Sequence, residues 1–183
     1  MAGVPHPPDP WGASAALLAQ GAAFVVVGGF AVIANEHIRA TKDVDFLIPD
    51  DADNDGRCLR AMESLGARLL REGRSLTLRD FEGDYIGAHS SAGIIDLIRE
   101  GLPPIDFETV AAAAHRVDSQ EGEVLVAGLV SVVAMKRLAG RPQDLARDRP
   151  AICPDRHLTN STFPHAGFTS PLLHASSLTA RLR

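Results

Sequence analysis

Three short stretches of this chain carry residue types that can do chemistry together. Asp43-Val44-Asp45 places two carboxylates at i and i+2 of a predicted strand, so both project from one face, roughly 6 to 7 Å apart at the backbone. Like charges at that spacing repel unless a cation lies between them, and the same spacing lets them share one divalent ion or bridge two. Upstream, Gly28-Gly29 sits between an apolar run and a helical pattern. Glycines there let backbone N–H groups approach an anion, aided by the positive end of the helix. The third stretch is Ile94-Ile95-Asp96-Leu97-Ile98. A carboxylate in such a strand carries a desolvation cost of roughly several kcal/mol unless an arginine or a cation accompanies it. If the two strands adjoin, Asp43, Asp45 and Asp96 form an oxygen-rich site for Mg²⁺, with room for two ions, and Asp96 is the natural base for an attacking hydroxyl. The plainer alternatives are a solvated strand edge for Asp43 and Asp45 and an arginine pair for Asp96.

The surrounding elements must hold these groups. Ala13 to Gln20 reads as a short helix ended by Gly21, and Phe24 to Val27 as a buried strand running into the diglycine turn. Phe30 to Arg39 has helical spacing of Ala31, Ala34 and Ile38, and Asp43 to Ile48 alternates as a strand. Asp51 to Ala67 follows as a helix on Leu59, Met62 and Leu65. Ser75 to Phe81 and Gly93 to Ile98 read as strands, separated by Glu82-Gly83-Asp84 and a polar loop at His89-Ser90-Ser91. Asp106 can cap a helix over Phe107 to His115, Val124 to Ala127 gives a last strand, and Leu129 to Ala139 a last long helix. The order predicts an α/β (α+β) domain, a mixed β-sheet flanked by helices.

Residues 1–12 hold Pro5, Pro7, Pro8 and Pro10 and are expected to form a flexible leader. The compact domain is expected over 13–148. Beyond it, residues 149–183 lose all periodicity, as expected of a disordered or aberrant tail.

Composition narrows the function classes. The chain has 183 residues, enough for one domain with a real core. A net charge of −5 excludes a protein that coats nucleic acid by wholesale phosphate neutralisation. No apolar run approaches the roughly 18 residues a membrane span needs, and the N-terminus lacks a secretory pattern, so a cytoplasmic address without membrane partners is expected. Cys58 and Cys153 are isolated, so two reduced thiols are expected rather than a disulfide or zinc site.

Taken together, Val27-Gly28-Gly29, Asp43-Val44-Asp45 and Asp96 resemble the motifs of the DNA polymerase β-type nucleotidyltransferase superfamily. The stretch Arg39-Ala40-Thr41-Lys42-Asp43-Val44-Asp45-Phe46 is similar to its small bacterial AbiEii toxin-like group. Lys136, Arg141, Asp144 and Asp148 resemble that group's C-terminal helices, although Asp148-Arg149-Pro150 breaks the helix that such proteins continue. On the residues alone, Leu129, Val132, Val133 and Lys136 share one helical stripe, so Lys136 must snorkel outward or face a polar cleft.

The resemblance implies a nucleotidyltransferase-like sheet with C-terminal helices that transfers a nucleoside monophosphate from an NTP to a hydroxyl or phosphate acceptor. Asp43, Asp45 and Asp96 would hold two Mg²⁺ ions, and Gly28, Gly29, Arg39, Thr41, Lys136, Arg141 and Asp144 would bind nucleotide and phosphate. Lys136 would also serve catalysis by meeting the charged leaving group. The acceptor would be tRNA, a protein or a small molecule such as an antibiotic, and a cognate toxin or antitoxin protein is a conceivable partner. A non-catalytic antitoxin-like binding module and a kinase-like phosphotransferase use the same scaffold and stand as alternatives.

Overall fold

The computed structural model describes residues 6–99 and 105–139. In chain order, the elements are α1 (Pro10–Ala19), β1 (Val25–Val26), α2 (Gly28–Ala34), β2 (Asp43–Ile48) and α3 (Ala52–Ser64). These are followed by β3 (Arg68–Leu69), β4 (Tyr85–Ser90), β5 (Gly93–Arg99), α4 (Phe107–Ala112), β6 (His115–Ser119), β7 (Gly122–Val126) and α5 (Leu129–Ala139). The strands make one mixed sheet in the order β3-β4-β5-β2-β1-β7-β6. The β2–β5 and β1–β7 pairs are parallel, and the other neighbours are antiparallel. The expected mixed sheet flanked by helices is therefore present.

Alternation along β2 sorts the two faces. Val44, Phe46 and Ile48 are fully buried, as are Ile95 and, nearly so, Leu97 beside them on β5. This face packs under α3, which Arg99 of β5 joins through an ion pair with Asp55 at 2.8 Å. Arg99 also pairs with Asp50 and donates to the Phe81 carbonyl. Phe24 and Phe46 meet edge to face, 5.3 Å between ring centroids, a favourable quadrupole arrangement. The opposite face carries Asp43, Asp45 and Asp96.

Local chemistry explains where several elements depart from their expected bounds. α1 begins at Pro10, not Ala13, because Asp9 caps it by accepting from Gly12 N at 3.0 Å and Pro10 fits the first helical position. Residues 10–12 thus belong to a helix rather than to the leader. α2 starts on the diglycine itself and stops at Ala34, where Asn35 turns its side-chain amide onto Ala31 O (2.7 Å) and Ala127 O (3.0 Å). Glu36 then takes a positive φ of 66°, which ends the helix well before Arg39.

The strand expected over Ser75 to Phe81 is instead a 3₁₀ turn, Leu78–Glu82. Thr77 and Asp80 form a capping box there, and Arg74 grips Asp80, so local hydrogen bonding overrides the alternating pattern. Of the loop expected at His89-Ser90-Ser91, His89 and Ser90 end β4 and Ser91 lies in the turn. Buried Ser90 closes the hairpin, donating to Gly93 O at 2.9 Å and accepting from Ala92 N at 3.1 Å. The helix after Asp106 ends at Ala112, and His115 opens β6, which pairs with β7 as a hairpin.

Candidate active site

The acidic groups come together because two strands distant in sequence run parallel with Asp45 directly opposite Asp96. Asp43 lies one pleat back on the same face. Each of the three carboxylates offers an oxygen within 4.8 Å of the other two. Asp43 and Asp45 are half-buried, and Asp96 is 9% exposed. The sequence expectation of a three-carboxylate cluster is met, and the arginine of β5, Arg99, pairs on the other face of the sheet rather than with Asp96.

This arrangement is electrostatically costly for the metal-free chain. Asp45 is pushed up to about 6 from the ordinary carboxylate range by burial, then by the charges of Asp43 and Asp96. The Gly29 N–H, 3.4 Å from Asp45 Oδ2, and the charge of Arg39 pull the other way and do not cancel the rise. A hard oxygen donor set of three carboxylates suits Mg²⁺ or a similar divalent cation.

The glycines do more than offer N–H groups. Gly28 has φ +60°, and a β-carbon there would lie 1.9 Å from Asp45 Oδ2. A β-carbon on Gly29 would lie 2.4 Å from Thr41 Oγ1. The diglycine thus makes the room that Asp45 and Thr41 occupy. Thr41 in turn directs its hydroxyl to Asp43, 3.0 Å from Oδ1 and 3.1 Å from the backbone oxygen.

No family model matches the chain, and no curated protein matches it. Two solved structures are among those similar to this chain. One is a crystal structure of ANT(2'')-Ia in complex with adenylyl-2''-tobramycin, at 19% identity and a TM-score of 0.47, covering 75% of this chain and 77% of that one. The other is a solution structure of the antibiotic-resistance factor ANT(2'')-Ia, at 17% identity and a TM-score of 0.49, covering 76% of this chain and 74% of that one.

The remaining expected residues are distributed as follows. Arg39 is half-buried and close enough to act on Asp45. Lys136 belongs to the helix layer, half-buried in the last turn of α5, which packs against α2. Arg141, Asp144 and Asp148 lie outside the described residues, as do 149–183.

One residue of the site escaped the sequence reading. Tyr85, first in β4, is 54% exposed, and its hydroxyl and Asp96 both border the space above Gly87, where a β-carbon would lie 2.9 Å from the hydroxyl and 3.2 Å from Asp96 Oδ1. Burial, then the neighbouring Asp96, raises its pKa above the usual phenol range. The signal was present in the register: Gly87 lies opposite Asp96, and Tyr85 is one pleat along on the same face. Among the described residues, no helix is long and apolar enough to cross a membrane.

Proposed function

We propose that this protein is a Mg²⁺-dependent nucleotidyltransferase, moving a nucleoside monophosphate from an NTP to a hydroxyl acceptor. The observation that carries the reading is the convergence of Asp43, Asp45 and Asp96 on one sheet face directly beside the Gly28-Gly29 turn. The motif resemblance of these same residues supports it. A structural or purely binding role gives no reason to assemble three mutually repelling carboxylates and clear space for one of them.

Asp43, Asp45 and Asp96 would hold the cation, which when bound neutralises charge on the triphosphate and on the acceptor oxygen. Asp96 accepts the proton of the acceptor hydroxyl as that oxygen attacks the α-phosphorus and pyrophosphate leaves. The backbone of the diglycine turn receives phosphate oxygens, and Thr41 keeps Asp43 aimed at the site. Arg39 and Lys136 supply positive charge for the nucleotide, with Arg141 and Asp144 as further nucleotide-side residues. The acceptor is a hydroxyl of tRNA, a protein or a small molecule.

The test is incubation with each NTP labelled at the α-phosphate, Mg²⁺ and a cell extract, followed by separation of RNA, protein and small molecules. Label retained on one fraction, and lost in Asp45→Ala, is the expected result. Transfer of γ-label instead would make the protein a kinase-like phosphotransferase. Transfer undiminished in Asp45→Ala would sink the assignment.

A further inference from the structure

On the face of the sheet opposite the three carboxylates, a groove of about 710 Å³ lies between α1 and the β6–β7 hairpin. Helical spacing puts Trp11, Ala15 and Leu18 on one stripe of α1, turned to the hairpin. The stripe is closed at its C-terminal end, where Leu18 lies 3.6 Å from the place a β-carbon would take on Gly122. It is open at the other end: Trp11 is 48% exposed, with Val117 in the facing wall of the groove. The rim is acidic. Asp9, Asp118 and Glu121 line it, and among the described residues no lysine or arginine does. In the same hairpin Glu123 is matched by Arg116, whereas Asp118 and Glu121 form no ion pair among the described residues.

We propose that this groove docks an extended basic segment of a partner protein, with an arginine or lysine of that segment over Trp11 and its backbone along the outer edge of β6. Three features select this occupant. Positive charge complements Asp9, Asp118 and Glu121, whose side of the groove supplies none of its own. A guanidinium or ammonium group over an indole face is attracted by the ring quadrupole, and half-exposed tryptophans are frequent energetic anchors of protein interfaces. Finally, β6 is the terminal strand of the sheet and pairs with β7 alone among the described residues. Alternate backbone N–H and C=O groups of the strand that carries Val117 therefore face outward beside the groove, and another backbone is what pairs with such a row. A free polyamine meets the first two conditions and not the third. Docking here is separate from nucleotidyl transfer and stands whether or not transfer occurs.

The chain contains one tryptophan, so indole emission reports this groove alone. The probe is a short synthetic peptide alternating arginine with threonine, both ends blocked, added to the whole protein. A saturable change in Trp11 emission is expected. With a dye-labelled peptide read by fluorescence anisotropy, the double variant Asp118→Asn, Glu121→Gln should bind about 10-fold more weakly, and Trp11→Leu about 5-fold more weakly. The far-ultraviolet circular dichroism of both variants should match that of the wild type. N-methylation of alternate peptide nitrogens removes donors toward β6 and keeps the charge, and should weaken binding by about 10-fold. Equal binding of a peptide with glutamate in place of arginine, or of the N-methylated peptide, would overturn the proposal. Spermine binding as tightly as the arginine peptide would overturn it too, making the groove a site for small polycations. The same holds for a Trp11 emission change that follows self-association in sedimentation, which would make a second copy the occupant, and for an emission that the arginine peptide leaves unperturbed.

Discussion

Gly28 and Asp45 occupy the same space: the position a side chain would take on the glycine is filled by the carboxylate oxygen of the aspartate, 1.9 Å away. Gly28→Ala therefore does two kinds of damage. Its φ of +60° costs an L-residue about 1 to 2 kcal/mol, and its methyl group drives Asp45 from the cluster. The expected outcome is a lowered melting temperature together with loss of Mn²⁺ binding and of transfer, measured on the same preparation.

Asp45 links pH to stability with a definite sign. Its folded-state value of about 6 lies above the ordinary 3.8, so ionisation opposes folding of the metal-free chain. The penalty is absent below about pH 4, grows as pH rises through 6 and is complete above it, where it amounts to about 3 kcal/mol. In the presence of a chelator, Asp45→Asn should raise the melting temperature at pH 7.5, with the difference vanishing near pH 4. Mg²⁺ should stabilise the wild-type protein more at pH 7.5 than at pH 5, because below pH 6 a proton competes for the same oxygen. Equal stabilisation by Mg²⁺ at both values would contradict the role given to Asp45.

Thr41 touches Asp43 through a hydroxyl and borders Gly29 through the same atom. Thr41→Val preserves the shape and deletes the hydrogen bond, whose net worth to folding is about 1 kcal/mol. Cation affinity is expected to fall by about 10-fold with little change in melting temperature. Calorimetric titration with Mn²⁺ separates the two quantities.

On the far face, Arg99 is tied to Asp55 and Asp50 in a partly buried network. Arg99→Met leaves Asp55 buried beside other carboxylates without its cation, at an expected cost of about 3 kcal/mol. Because its side chain points away from Asp96, Mn²⁺ affinity of the folded variant should match that of the wild type. Denaturant unfolding and Mn²⁺ titration together check both halves of this statement.

The carboxylates were legible in the sequence because a strand's alternation alone decides which side chains share a face, and Asp43 and Asp45 declare it without any partner. Their union with Asp96 depends on β5 pairing in parallel with β2, which two apolar runs merely permit. Tyr85 was missed because β4 was obscured: Gly87 and the polar His89 and Ser90 lack the apolar alternation that marks a strand, and only pairing with β5 makes them one. Asp80 and Thr77 misled in the opposite sense, since the alternating run at Ser75 to Phe81 conceals a capping box that closes a 3₁₀ turn. The diglycine falls between strand and helix as its residue types suggest, but it opens α2 rather than preceding it. Its clearance of Asp45 and Thr41 is a matter of approach distances that no local pattern encodes.

The parallel register that sets Asp45 opposite Asp96 also has a kinetic meaning. Those two strands are separated along the chain by α3 and the β3–β4 segment, so the pairing that brings the three carboxylates together is a non-local contact with a large loop-closure cost. A nascent or partly folded chain therefore has the Asp43-Val44-Asp45 pair but not the third carboxylate beside it. If the contact forms after the folding transition state, Mg²⁺ will lengthen the lifetime of the native protein by slowing its unfolding while leaving its folding rate unchanged.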